Sequence, residues 1–322
     1  MIKKIILLSI LFIAIFFISI KYGAVTIENK QIFGLIKNSI GENKDLLIEL
    51  RLPRVVGASL VGIALAISGC VMQGITRNSL ADPGILGISS GANLFMTISM
   101  IVLPNINYFG INIFCFLGAT LGTIIVFILG NSKIHSKNTY KLILSGVAMS
   151  TLFFSLSEAL SLKFNVYKEA SMWLNGGLLG INFKQISIAS IFIISASTFI
   201  YIKSTNLTVL SFDEQISISL GENLRKSKIL FLILNIFLAG SAVALAGNLT
   251  FLGLLVPHIS RKIVGNDYKK IIPIASLLGA IFLLISDLMA RIILAPFEVP
   301  LTAIVSIIGL PFFLIIVKKK GI

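Results

Sequence analysis

Three arginines and two carboxylates are the charged side chains best placed to do chemistry in this chain. Arg51 and Arg54 bracket Leu52-Pro53 directly before an apolar run that starts at Val55, and Arg291 closes a much later apolar run. A guanidinium at a membrane edge can lay its stem on apolar surface and keep its head in water. It can also grip a carboxylate through two parallel N–H bonds, which suits docking of an acidic partner. Residue type and spacing leave both uses open. Asp287 and Glu158 fall within apolar runs, where an ionised side chain is costly unless paired or wet, so each is a functional candidate. Asp287 precedes Arg291 by four residues, which on a helix makes a local ion pair the simpler account. Glu158 stands near the end of its run. A proton relay needs more such groups than these two.

Other chemistries find little to work with. His258 follows Pro257 and has no second ligand four residues on, so no metal is assigned. His135 sits in a basic loop. Cys70 and Cys115 both lie in apolar runs, form neither a disulfide framework nor a CxxC pair, and read as small packing residues. No GxxxxGK[ST] loop is present to cradle ATP phosphates.

The elements that must hold the arginines are membrane helices. Hydrophobic residues make up 56% of the 322 and charged residues 12%, against about 25% charged in soluble domains. The mean hydropathy is +1.00. The apolar runs are continuous rather than alternating and reach helix-span length, which argues against a barrel. Ten runs are expected to cross or enter the bilayer, at roughly 5–22, 54–74, 84–103, 111–130, 141–162, 184–203, 229–248, 250–264, 271–292 and 300–317. The eighth is short and separated from the seventh only by Gly247-Asn248-Leu249-Thr250. The fold class is all-α, a polytopic membrane bundle forming a single domain over 1–322. The N-terminal run is read as a retained first helix, because Lys21-Tyr22-Gly23-Ala24 makes a poor cleavage site. The net charge of +14 is read as topogenic loop charge, not as a nucleic-acid footprint. Its bias places both termini inside.

Between the runs lie three informative breaks. In Asn78-Ser-Leu-Ala-Asp-Pro-Gly84, Asp82 can cap the next helical turn with Pro83 at its first position. Asn78 has no such duty and is a candidate for lining a polar constriction. The loop 211–228 carries Ile216, Ile218 and Leu220 and then Gly221, as expected of a short helix that ends at glycine and presses on a partner. Trp173-Leu-Asn-Gly-Gly-Leu-Leu-Gly180 reads as re-entrant or interfacial. The pairs Gly87/Gly91, Gly118/Gly122 and Gly176/Gly180 have the spacing that lets helix backbones approach closely.

These pieces together resemble one family. Arg51-Leu-Pro-Arg54, Ser68-Gly69 with Gln73, Asn78 to Gly84, Leu144-Ser-Gly-Val-Ala148 and Trp173-Leu-Asn-Gly176 are followed in order by Ser219-Leu-Gly221 and Phe251 to Arg261. Asp287 to Arg291 and Glu298-Val-Pro300 to Gly309-Leu-Pro-Phe312 complete the set. The chain resembles the permease subunits of the binding-protein-dependent ABC importers for ferric siderophores, haem and cobalamin, over nearly its whole length.

That resemblance implies a BtuC-like bundle of about ten transmembrane helices in a bacterial cytoplasmic membrane. It implies a second permease subunit, identical or related, two cytoplasmic ABC ATPases that carry ATP and Mg, and an external substrate-binding protein. No cofactor is implied on this chain, and no enzymatic activity. Arg51, Arg54 and Arg291 match the arginines that meet acidic residues of the binding protein. Ser219, Leu220 and Gly221 match the segment that couples to the ATPase. Asn78 and Leu80, with Thr139 and Tyr140, match positions narrowing the inner pathway, although Ser79 stands where the family commonly has proline. An ion-coupled secondary transporter would want more buried carboxylates. An intramembrane enzyme would want clustered His/Asp or Ser/His, which two distant histidines do not supply.

Overall fold

In a computed structural model, the described residues are 2–23, 46–104, 106–130, 139–178 and 180–320. They form thirteen α-helices. In chain order these are α1 (Ile2–Lys21), α2 (Leu52–Thr76), α3 (Ile88–Val102), α4 (Tyr108–Gly130), α5 (Thr139–Lys163), α6 (Tyr167–Gly176) and α7 (Phe183–Ile202). They continue with α8 (Ser204–Leu210), α9 (Glu214–Ser219), α10 (Leu224–Ala246), α11 (Leu252–Val264), α12 (Tyr268–Ile292) and α13 (Leu301–Lys320). A π-helical turn, Leu46–Arg51, leads into α2, and a 3-10 turn, Pro83–Leu86, leads into α3.

Each of the ten apolar runs lies on a helix. Seven helices are long and apolar enough to cross a bilayer, while Ile88–Val102 and Leu301–Ile315 are shorter apolar helices. The eighth run, α11, has only 13 residues, about 20 Å of helix at 1.5 Å per residue against a hydrocarbon core of about 30 Å. It begins inside the protein. Gly253 meets Gly69 of α2 so closely that a Cβ on Gly69 would lie 1.8 Å from the Gly253 carbonyl oxygen. Gly247 and Leu249, in the non-helical approach to α11, are buried. Irregular backbone at that depth is tolerable because protein, not lipid, surrounds it.

α2 is the centre of the bundle. Its buried residues run around the whole helix, from Pro53 and Val55 to Gly74 and Ile75, as expected of a helix apolar on every side. α12 lies along it at closest range where Gly62 and Gly279 face one another; a Cβ on either would stand 2.3 Å from the other's carbonyl oxygen. Two of the three expected glycine pairs do the same for α3 and α4. Gly91 opposes Gly118, and Gly87 opposes Gly122. The third expectation fails, since nothing lies within 4 Å of a Cβ placed on Gly180. Gly180 instead serves the backbone, at φ +70°, a conformation open to glycine at little cost. Cys70 and Cys115 are both free thiols and buried.

Candidate functional site

At one end of the bundle the structure brings Arg51, Arg54 and Arg291 together from the start of α2 and the end of α12. Asp287 joins them from one turn earlier on α12, and Glu298 from the segment linking α12 to α13. Arg54 donates through Nε to Asp287 Oδ1 at 2.7 Å, and through Nη1 to both Glu298 oxygens at 2.7 and 2.9 Å. The other oxygen of Asp287 stands 2.9 Å from Nη2 of Arg291. The carboxylate of Asp287 is therefore shared between two guanidiniums, and its side chain is 0% exposed. The local Asp287–Arg291 pair read from the four-residue spacing is present. The longer-range partner, Arg54, is added to it.

The arginines do not lie spread on a membrane surface. Arg51 Nη1 donates to the carbonyls of Ile20 and Lys21 at 2.9 and 3.0 Å, and Arg291 Nη1 to those of Ser19 and Tyr22 at 3.1 and 3.3 Å. The cause is α1, which ends there with unsatisfied carbonyls and the negative end of its dipole; two cations satisfy both. Gly23 passes between these guanidiniums. A Cβ there would sit 3.2 Å from Arg51 Nη2 and 3.5 Å from Arg291 Nη1.

The opposite end carries the second group of expected residues. Loop 211–228 forms α9, which stops at Gly221, φ +80°, as the glycine predicts. Ser219 donates to the Ile216 carbonyl at 2.8 Å, and Leu220 is 60% exposed beside exposed Ile216, Ile218 and Phe212. Polar groups pin the root of this apolar knob. Ser217 is buried and its hydroxyl reaches the Val209 carbonyl at 2.8 Å. Glu222 accepts from Asn206 at 2.9 Å and from the hydroxyl of Ser227. Asn223 caps α10 by accepting from the Lys226 N–H.

The turn before α3 lies at this end as well. Asp82 accepts from Gly84 N at 2.9 Å with Pro83 next, as expected. Burial pushes the Asp82 carboxyl up to about 6, against the opposing pull of the Gly84 N–H. Asn78 proves to have a structural duty, contrary to the reading that it has none. Its side chain accepts from Leu80 N at 2.9 Å, closing an Asx turn. Leu80 is half-buried. Thr139 and Tyr140 open α5, but their side chains lie outside the described residues, as do those of Trp173 to Gly176, and His135 altogether. Glu158 is exposed on α5 and does not join the arginines.

Sequence reasoning placed the arginines and Asp287 but did not assign Glu298 a role. The motif Glu298-Val-Pro300 was visible; what it pairs with was not. A second unassigned group is Gln73 of α2, which donates to the Gly253 and Leu254 carbonyls at 3.4 and 3.3 Å and accepts from Arg261 of α11. It ties the short helix to the central one.

A central apolar helix, a half-length helix beside it and an ionic cluster at one end make up a polytopic helical membrane bundle. Residues 11–319 match the FecCD transport family, and the chain belongs to that family. It is 39% identical to the iron-uptake system permease protein FeuB of Bacillus subtilis, over 94% of this chain and 92% of that one. It is 32% identical to the probable heme-iron transport system permease protein IsdF of Staphylococcus aureus, over 99% and 97%. A solved inward-facing structure of a metal-chelate type ABC transporter superposes with a TM-score of 0.85 at 27% identity, covering 98% of this chain and 99% of that chain.

Proposed function

We propose that this chain is the membrane-embedded permease of an ATP-driven importer that takes a ferric chelate, haem or a cobalamin-type ligand from an external binding protein into the cytoplasm. Relatives named for iron and heme-iron uptake support the iron-bearing choices. The carrying observation is the contrast of its two ends on one bundle: a cationic cluster of Arg51, Arg54 and Arg291 at one, and an apolar knob at Leu220 with pinned roots at the other. The first suits an acidic partner outside. The second suits a hydrophobic socket on an ATPase inside, with Ser219 to Gly221 as the coupling segment. The whole chain acts as one domain, both termini face the cytoplasm, and a second permease subunit completes the pathway. Asn78, Leu80, Thr139 and Tyr140 narrow its inner end. ATP and Mg are held by the two ATPase subunits, and this chain carries no cofactor of its own.

The test is reconstitution. In liposomes the permease with ATPases, binding protein and ATP should accumulate the iron complex, and omitting any one of the three should abolish accumulation. Uptake against a gradient by the permease alone, driven by a proton or sodium gradient, would overturn the proposal. Arg54→Gln, at a side chain 11% exposed, should weaken binding-protein capture while the permease still assembles with its ATPases; unchanged capture would remove the docking assignment.

A further inference from the structure

The ionic cluster is arranged in layers, and only one layer is open. Asp287 is fully enclosed between Arg54 and Arg291. Arg51 and Arg291 spend their Nη1 groups on the α1 carbonyls and are 7% and 4% exposed. Glu298 is the outermost member, with a side chain 28% exposed. It belongs to the non-helical segment 293–300, whose neighbouring Phe297 is 78% exposed. Among the described residues, a carboxylate arriving from solvent reaches a guanidinium of this cluster only where Glu298 now sits.

Glu298 does not hold Arg54 in the best available geometry. Nη1 of Arg54 is already shared by both Glu298 oxygens, which is not the fork-to-fork geometry in which a guanidinium binds a carboxylate best. A partner carboxylate that approached squarely would do better there than the resident one.

Resting on the docking reading above, we infer that Glu298 is a resident carboxylate that the external binding protein's carboxylate exchanges for on Arg54. Asp287 stays in place and holds the guanidinium oriented while Glu298 swings out with segment 293–300. Before docking, Glu298 keeps Arg54 ordered and lowers the cluster's attraction for unrelated anions. During docking, it must be displaced, so it weakens the complex it helps to prepare.

The test uses the full permease–ATPase complex in lipid nanodiscs and, as probe, the substrate-binding protein of the same importer. Glu298→Gln should tighten binding about tenfold, because the competitor loses its charge. Arg54→Gln should weaken binding by about tenfold or more. Adding Glu298→Gln to Arg54→Gln should change nothing further, since the group being competed for is gone. If Glu298→Gln leaves binding unchanged or weaker while Arg54→Gln still weakens it, exchange is wrong and docking on Arg54 stands. If Arg54→Gln has no effect, both fall. Should the Gln variant fail to assemble with the ATPases, Glu298→Asp takes its place. Its shorter stem withdraws the carboxylate from Arg54, so tighter binding is again expected and its absence overturns the exchange.

Discussion

The two ends of this bundle present opposite solutions to meeting a partner. At the arginine end, each of the three arginines is already engaged, by carboxylates or by helix carbonyls, and the fully enclosed group is a charge. At the α9 end, the apolar side chains of Ile216, Ile218 and Leu220 stand open while Ser217, Asn206 and Glu222 beneath them are bonded. A partner at the first end must replace something. A partner at the second has only to cover it. The difference matters for mutation: under the proposed docking and coupling, stability and recognition would share the same residues at the arginine end and be separated by one layer of side chains at the α9 end.

Asp287→Asn should give the largest effect and test the first half of that contrast. It leaves Arg54 and Arg291 buried around a neutral amide, and removing one partner of a buried pair costs about 3–5 kcal/mol. A melting curve of the purified subunit in nanodiscs should fall accordingly. A stability loss no larger than that of a surface substitution would mean that water reaches the cluster and that its closed appearance misleads.

Leu220→Asp comes next and probes the other end. Its side chain touches little of its own protein, so melting should barely move. Capture of the ATPase subunits should weaken about thirtyfold, on the order of 2 kcal/mol, as for loss of an apolar anchor. A large drop in melting with capture intact would reverse the assignment of recognition and support at this end.

Ser217→Ala should fall below both. It removes the hydroxyl that ties α9 to the Val209 carbonyl, worth about 1 kcal/mol as a single hydrogen bond, while that carbonyl keeps the Phe212 N–H. The loss should be local: amide exchange in residues 213–222 should quicken while α10 and α12 keep their protection. Global loss of protection would show that the knob is not a separate layer.

What the sequence discloses about these ends follows the same division. The α9 end is local, and its signals are local too: the apolar residues at 216, 218 and 220, the glycine that ends the helix, and the Asp82-Pro83 cap all read directly from neighbouring residues. The helices were legible for the same reason, because a continuous apolar run dictates its own backbone pairing. The arginine end is built across the chain. Glu298 lies 244 residues from Arg54, and the acceptors for Arg51 and Arg291 are backbone carbonyls, which leave no mark in residue type. Glycine spacing predicted the α3–α4 contact, where both helices carry the pattern. It failed at Gly180, where the glycine serves a turn. The contacts of Gly62 with Gly279 and of Gly69 with Gly253 had no pairwise spacing to announce them.

Asp82 offers the smallest effect and the sharpest control, because among the described residues no cation pairs with it, whereas Asp287 has two. Its carboxyl is held up near 6 by burial, above its ordinary value. Between about pH 4 and about pH 6 the folded turn therefore keeps a proton that the unfolded chain has released, and stability falls as pH rises through that window. Asn caps as well as Asp and carries no charge. Asp82→Asn should thus match the parent near pH 4 and exceed it by on the order of 1 kcal/mol near pH 7.5. Melting temperatures of the two proteins at both pH values check this. A gap that is the same at both would mean that the Gly84 N–H and water already compensate the charge. The contrast between paired and unpaired carboxylates at the two ends would then be one of geometry alone.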